Sequence, residues 1–275
     1  MMTNDELTHI LHTAIAIAEK AGNLLRAAYD QPREINYKGD VDLVTQADHG
    51  SEQLILEELR PIFPEHGILA EETGEVVPFS GEAARDGLTW LIDPLDGTTN
   101  FAHGYPVFAV SVALHDRSGP LVGVVRDPML RETFAAARGM GATCNGKPIR
   151  VSHTPDLRHA LLATGFPYDR HTAELNNSEA LSVFLRRSQG IRRGGAAALD
   201  MSYVACGRLD GFWEMRLHPW DVAAGILIVR EAGGKASDYL AAEDSQQLLS
   251  GAQTLVSNGL IHAAMLQTLH EVYSF

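Results

Sequence analysis

Apolar residues recur near the start of the chain in steps of three and four: Leu7, Ile10, Leu11, Ala14, Ile17, Ala18, Ala21, Leu24 and Leu25. That spacing predicts an amphipathic helix with one buried stripe. A second helix is predicted over 48–59, where Leu54, Ile55, Leu56 and Leu59 are apolar and Pro61 and Pro64 end the run. "GILAEET" and "TWLID" read instead as short strands that run into acidic residues. "VFAVSVALHD" and "LVGVVRDPM" are Val-rich and separated by "RSGP". They predict a hairpin, continued by "ETFAAARG". The turn-rich "GMGATCNGKPIR" marks a boundary near residue 150, dividing an N-terminal α+β subdomain, 1–150, from a C-terminal α/β subdomain, 151–275.

Beyond that boundary the pattern predicts a strand at "ALLATGFP", helices over 173–187 and 197–206, a strand at "DGFWEM" and a helix over 219–232 ended by Gly233 and Gly234. A late strand at "TLVSNG" and a closing helix after Gly259 complete the chain. There are no repeats or low-complexity tracts. Strands and helices interleave around a hairpin region, so the expected class is α/β, or α+β, in stacked layers.

Composition changes that picture little. A chain of 275 residues, 45% of them hydrophobic, can bury a substantial core. The formal charge of −13 is carried by dispersed acids. It gives no electrostatic footprint for nucleic acid and no polybasic membrane surface, so neither partner is expected. No basic stretch precedes an apolar one near the start, and no run of about 18 apolar residues occurs. Neither a signal peptide nor a membrane span is therefore expected. Cys144 and Cys206 read as two free thiols in a reducing cytoplasm.

The chemistry concentrates in "LIDPLDGTTNFAHG", residues 91–104. Asp93 follows an apolar run and should stand at the end of a buried strand. Pro94 fixes its own φ and forces the chain out of the ladder. Asp96-Gly97 is a turn signal, and Thr98 and Thr99 can cap a helix starting at about Asn100. Taken alone, "DPLDGT" suits an ordinary helix cap and a metal site equally. Three further acids shift the balance: Glu71 at the end of "GILAE", Asp221 in "HPWDVAAG" with Pro219 near the helix start, and Asp48 opening another helix. Each by itself can complement a helix dipole. Glu72 reads as a solvated surface acid.

Together, Glu71, Asp93, Asp96 and Asp221 would repel one another without cations. Hard oxygen ligands in that number suit Mg²⁺. No His/Cys set has zinc spacing, and His103 and His218 read as structural. GxxxxGK[ST], GxSxG and GxGxxG are all missing. Metal-assisted hydrolysis of a phosphate ester is the chemistry that remains.

"WLIDPLDGTTNFAHG" and "PWDVAAGILIVREAGG" resemble the two signature motifs of the inositol monophosphatase family, the Mg²⁺-dependent, lithium-sensitive phosphatases related to fructose-1,6-bisphosphatase. "VDLVTQAD", "ILAEET" and "RRGGAAALDMSYVACGRLDGFWE" fit in the same order, so the likeness covers essentially the whole chain. It implies an αβαβα sandwich and a homodimer. It implies that Glu71, Asp93 and the Leu95 carbonyl hold one metal ion. Asp93, Asp96 and Asp221 hold a second, and a third, weaker ion rests on Glu71. Gly97 and Thr98 offer N–H groups to the phosphate, and the Thr98 hydroxyl, paired with Asp48, orients and helps deprotonate the attacking water. Glu214 matches the acid that binds substrate hydroxyls, beside Ala197 and Asp221. Lys38 falls near the lysine of the mobile metal loop, in a loop one residue shorter. Arg192-Arg193 and "RLHPWD" resemble the bacterial branch. The implied substrate is a small phosphorylated polyol, myo-inositol 1-phosphate first. Other candidates are histidinol phosphate, fructose 1,6-bisphosphate, NADP and 3′-phosphoadenosine 5′-phosphate. A regulatory protein that keeps the fold and binds a partner is the alternative from another class.

Overall fold

The computed structural model describes residues 2–31, 35–37, 43–76 and 87–273. The N-terminal stripe folds as α1 (Asn4–Tyr29), opened by a capping box between Thr3 and Glu6. Strands β1 (Ile35–Tyr37) and β2 (Leu43–Thr45) pair antiparallel, and α2 (Gln46–Ile62) follows directly. Pro61 lies inside the last turn of α2, not beyond it. The turn survives because the Phe63 N–H still reaches the Leu59 carbonyl at 2.8 Å.

The first sheet contains β3 (Gly67–Ala70), β4 (Gly74–Val76), β5 (Thr89–Asp96), β6 (Ala109–Asp116), β7 (Gly119–Asp127), β8 (Glu132–Ala137), β9 (Ala142–Cys144) and β10 (Lys147–Pro148). Their spatial order is β10-β9-β8-β7-β6-β5-β3-β4. The expected hairpin and its continuation are the meander β6-β7-β8. The short helix α3 (Thr98–Ala102) joins β5 to β6.

The second sheet contains β11 (Leu161–Thr164), β12 (Gly190–Arg192), β13 (Gly211–Met215), β14 (Lys235–Ser237) and β15 (Gln253–Ser257), in the order β12-β11-β13-β15-β14. Between and after these strands come α4 (Ser178–Arg187), α5 (Ala197–Ala205), α6 (Pro219–Glu231), α7 (Ser245–Leu248) and α8 (His262–Tyr273). The expected helix over 173–187 starts late, at Ser178. Asn177 adopts φ 71°, outside the helical region, and its amide is committed elsewhere. It donates to Thr164 Oγ1 and the Gly165 carbonyl and accepts from Trp213 Nε1, each at 2.7 Å.

Three apolar clusters order the layers. Ile17 and Leu25 of α1 and Ile55 of α2 pack with Trp90 and Phe108 on one face of the first sheet. Helices α5 and α6 fill the space between the sheets, with Leu91, Val125, Met201, Ile226, Phe212 and Val256. Phe184 of α4 and Met265 and Leu269 of α8 cover the far face of the second sheet at Trp213 and Leu255. The result is the expected αβαβα sandwich. Every residue of α6 from Val222 to Val229 is buried, as a helix covered by a sheet on either side requires. Gly123 permits that closeness: a Cβ there would lie 2.9 Å from the Ala224 Cα.

Side chains of β5 alternate between layers. Trp90 and Ile92 face α1 and α2, and Leu91 faces α5 and α6. Asp93 shares the Leu91 phase, so the strand's first carboxyl points into the middle layer.

Candidate active site

Sequence reasoning ended the strand at Asp93. The strand instead continues through Pro94 to Asp96. Asp93 pairs with Ser111 and Asp96 with Ala109, so β5 carries one more residue than β6 between the two pairs. This is a β-bulge, and it accommodates the proline without costing a ladder bond. It also sets the chemistry. Three positions apart on a regular strand, the two aspartates would face opposite sides. The extra residue restores the phase and turns both toward the middle layer.

The chain then reverses at Gly97, whose φ of 94° belongs to the left-handed region. A Cβ there would meet the Val107 and Gly195 carbonyls at 3.0 and 3.1 Å. The following helix therefore starts at Thr98 with Gly97 as its cap, two residues earlier than the sequence suggested. Asn100 ties the reversal to the loop before α5, donating to the Val107 carbonyl at 2.7 Å and the Gly194 carbonyl at 2.8 Å.

The acids converge from four elements. Glu71 follows β3, its N–H on the Ile92 carbonyl at 3.1 Å. The Asp93 carboxyl accepts from the Leu95 N–H at 2.9 Å and bonds to the side chains of Glu71 and Asp221. Asp96 accepts from the N–H groups of Ala197 and Ala198 at 2.9 Å and of Leu199 at 3.4 Å. These are the exposed donors of the α5 N-terminus, where an anion is favoured. Asp221, in the first turn of α6, accepts from the His218 N–H at 2.7 Å. The Thr98 hydroxyl lies 3.0 Å from both Asp48 Oδ1 and the Leu95 carbonyl. Asp48 is fully buried.

Burial pushes the Asp93 carboxyl well above the usual carboxylate range, and Glu71, Asp96 and Asp221 push it further. Burial and Asp221 raise Asp96 to about 7, against the pull of the three α5 N–H groups. Burial raises Asp221 to about 6. The acids therefore share protons as they stand, and no three His, Cys, Asp or Glu side chains among the described residues form a finished ligand cage. The donor set consists of buried carboxylate oxygens that raise one another's proton affinity. A hard divalent cation satisfies such a set and replaces its protons.

Glu214 lies on β13, and burial, then the charges of Asp200 and Asp221, push its carboxyl well up. Ala197, expected to line the pocket, is the first residue of α5 and anchors Asp96. His103 caps α3 and His218 caps α6; both side chains are exposed. Lys38 lies outside the described residues. Glu72 corrects the sequence reading: its side chain is 2% exposed, with His49 Nδ1 at 3.9 Å. The turn that carries it is held by Glu52, whose carboxylate accepts from the Glu72 and Thr73 N–H groups at 2.9 Å. Sequence reasoning also passed over Asn100, Glu52 and Asp200. Asp200 had a visible signal, a single acid in the apolar run "AAALDM".

The model of the Inositol monophosphatase family matches residues 6–274. The chain is 46% identical over 264 residues to the inositol-1-monophosphatase of Synechocystis sp., covering 94% of this chain and 89% of that one. It is 41% identical over 267 residues to the Nus factor SuhB of Escherichia coli K12, covering 96% and 97%. The inositol monophosphatase of Anabaena (Nostoc) sp. PCC 7120 matches the structure with a TM-score of 0.86 at 42% identity, over 97% of each chain.

Proposed function

The chain belongs to the inositol monophosphatase family, and we propose that it is a Mg²⁺-dependent phosphomonoesterase that hydrolyses myo-inositol 1-phosphate to inositol and phosphate. The family is one of metal-dependent phosphatases. The observation that carries the reading is the convergence of Asp93 with Glu71 and Asp221 beside the bonded pair Thr98–Asp48. Glu71, Asp93, the Leu95 carbonyl, Asp96 and Asp221 would hold two to three Mg²⁺ ions. When bound, the ions neutralise the phosphate and make a water easier to deprotonate.

The chain's own residues do the rest. The Thr98 hydroxyl passes the proton of the attacking water toward Asp48 Oδ1, 3.0 Å away. General-base assistance of this kind contributes about 10²–10⁴-fold. Glu71 helps hold the water in position. Gly97, unhindered by a side chain, lets the backbone N–H groups of Gly97 and Thr98 approach the phosphate. Glu214, with Asp221 and Ala197 beside it, receives the polyol. A buried carboxyl with raised proton affinity both donates to and accepts from hydroxyls, and disfavours a second phosphate nearby. The site then lies between subdomains 1–150 and 151–275, in a cytoplasmic homodimer. No helix among the described residues is long and apolar enough to cross a membrane.

The likeness to a protein named Nus factor SuhB favours a second reading, a binding role alongside catalysis. The test is phosphate release from inositol 1-phosphate and the other candidate esters, with and without Mg²⁺ and with added Li⁺. Mg²⁺-dependent, Li⁺-suppressed release, fastest from inositol 1-phosphate, is expected. Preference for another ester moves the substrate. Release from none by the folded protein leaves the binding role.

A further inference from the structure

Asp200 has no part in the chemistry described so far. It lies in the first turn of α5, is 5% exposed, and its carboxyl makes no hydrogen bond among the described residues. Glu214, 8% exposed, makes none either. Unpaired buried carboxyls are costly, so their retention calls for a partner that comes and goes. Neither carboxyl is sealed off. Among the described residues, the fully enclosed side-chain oxygens without a partner belong to Tyr239 and Thr254 alone, so the oxygens of Asp200 and Glu214 still reach open space.

Two glycines make room for the carboxyls themselves. A Cβ on Gly165 would lie 2.1–2.3 Å from the Glu214 carboxyl atoms, and one on Gly194 would lie 2.6 Å from Asp200 Oδ1. The two carboxyls sit against glycines that follow paired strands: Gly165 follows β11 and Gly194 follows β12, with Ala163 opposite Arg192 in the parallel register, and the charge of Asp200 acts on Glu214. Thr254, directly opposite Glu214 in the β13–β15 register, adds a buried hydroxyl without a partner on the same face. A cationic side chain, Arg193 at the exposed rim, acts on both acids. A guanidinium in that position disfavours a further divalent ion between them and leaves room for neutral donors.

We propose that Asp200 is a specificity-determining residue, a second carboxyl that works with Glu214 to bind two adjacent hydroxyls of the substrate alcohol. The assignment rests on the phosphomonoesterase reading and narrows its substrates to esters of vicinal polyols. Two carboxyls within electrostatic reach of each other can take the paired donors of a vicinal diol. An alcohol with no neighbouring hydroxyl leaves one of them unpaired, and a site built to bond a hydroxyl discriminates strongly against its absence.

The test compares wild type, Asp200→Asn and Asp200→Ala on myo-inositol 1-phosphate and on p-nitrophenyl phosphate, which has no polyol. Calorimetric binding of myo-inositol itself is measured alongside. In Asp200→Ala the ratio of kcat/KM for the polyol ester to that for the nitrophenyl ester should fall about 10–100-fold, the range for leaving a buried hydrogen-bonding group without its partner. The fall should lie mainly in KM, with Asp200→Asn between the two. Myo-inositol binding should weaken in parallel, and the melting temperature should hold or rise, because a buried unpaired carboxyl has been removed. An unchanged ratio, or myo-inositol binding equal to wild type, overturns the assignment. A lowered melting temperature with equal losses on both esters also overturns it, in favour of a structural role. If wild type hydrolyses neither ester, the phosphomonoesterase reading falls, and the calorimetry alone decides whether Asp200 binds a polyol.

Discussion

Asp96 and Asp200 are carboxyls of nearly equal burial, 7% and 5% exposed, and within electrostatic reach of each other at the start of α5. Asp96 accepts from three backbone N–H groups of that helix, and Asp200 from none among the described residues. The same contrast divides the rest of the site. Asp93 is tied to the Leu95 N–H and Asp221 to the His218 N–H, whereas Glu214 has no such tie among the described residues. Backbone tethers fix where a carboxylate points, which suits a small cation with strict geometry. Untethered carboxyls keep their lone pairs for a ligand that brings its own donors. The bulge on β5 and the N-terminus of α5 build one half of the site. The small residues Gly165 and Gly194 leave room in the other.

The sharpest way to break this division is Asp93→Asn, which removes the carboxyl that Glu71, Asp96 and Asp221 all act upon. Phosphate release should fall by about 10²–10³-fold or more, the scale of losing one preorganised charge-stabilising group. In cation-free buffer the melting temperature should rise, because a mutually repelling acid has gone. Preserved turnover with a lower melting temperature would make Asp93 a structural residue and end the distinction.

A second, smaller effect reports on the tethered acids together. Asp96 titrates at about 7 and Asp221 at about 6 in the fold, against an ordinary value of about 3.9. Between those values the folded chain holds protons that the unfolded chain has released. Stability from these groups is therefore complete below about pH 4 and is lost as pH rises through 6 and 7. A tenfold difference in proton affinity between folded and unfolded chain corresponds to about 1.4 kcal/mol, so with EDTA the melting temperature should drop several degrees between pH 5 and 8. Mg²⁺ should remove most of that slope by taking the place of the protons. A melting temperature that is flat with pH in EDTA would mean that the acids do not face one another in solution.

Much of this was legible in the chain. The stripe from Leu7 to Leu25 and the Val-rich meander have single clear periods, and the structure follows them. The convergence of Asp93 and Asp96 was legible as a motif, but its cause was not. A bulge depends on the register of a neighbouring strand, and Pro94 locally reads as a strand end. Asn177 delays the start of a helix because its amide serves Thr164, Gly165 and Trp213, contacts 12 to 36 residues away that no local propensity encodes. Glu72 read as solvated because the carboxylate that holds its turn, Glu52, lies 20 positions earlier on another element. Asp200 was visible as an acid among alanines, but only the place its carboxyl takes against Gly194 gives it a direction.

His262 supplies the control for the whole contrast, a buried polar group that is neither tethered for a cation nor left open. It is 2% exposed, and its ring nitrogens each lie 2.9 Å from a hydroxyl, Ser237 at Nε2 and Ser257 at Nδ1. Burial holds the ring down at about 4, so it is neutral across the physiological range. Fully satisfied polar groups away from the site should carry stability without chemistry. Ser257→Ala leaves Nδ1 buried without its partner, at a cost of about 1–3 kcal/mol. The melting temperature should fall by a few degrees, with phosphate release unchanged below the transition. Because the folded state favours the neutral ring, the stability His262 contributes is present above about pH 6.5 and is lost as pH falls through 4, opposite in sign to the slope from Asp96 and Asp221. A Ser257→Ala protein that kept its melting temperature but lost turnover would place this network in the catalytic machinery, and the line between satisfied and waiting groups would have to be redrawn.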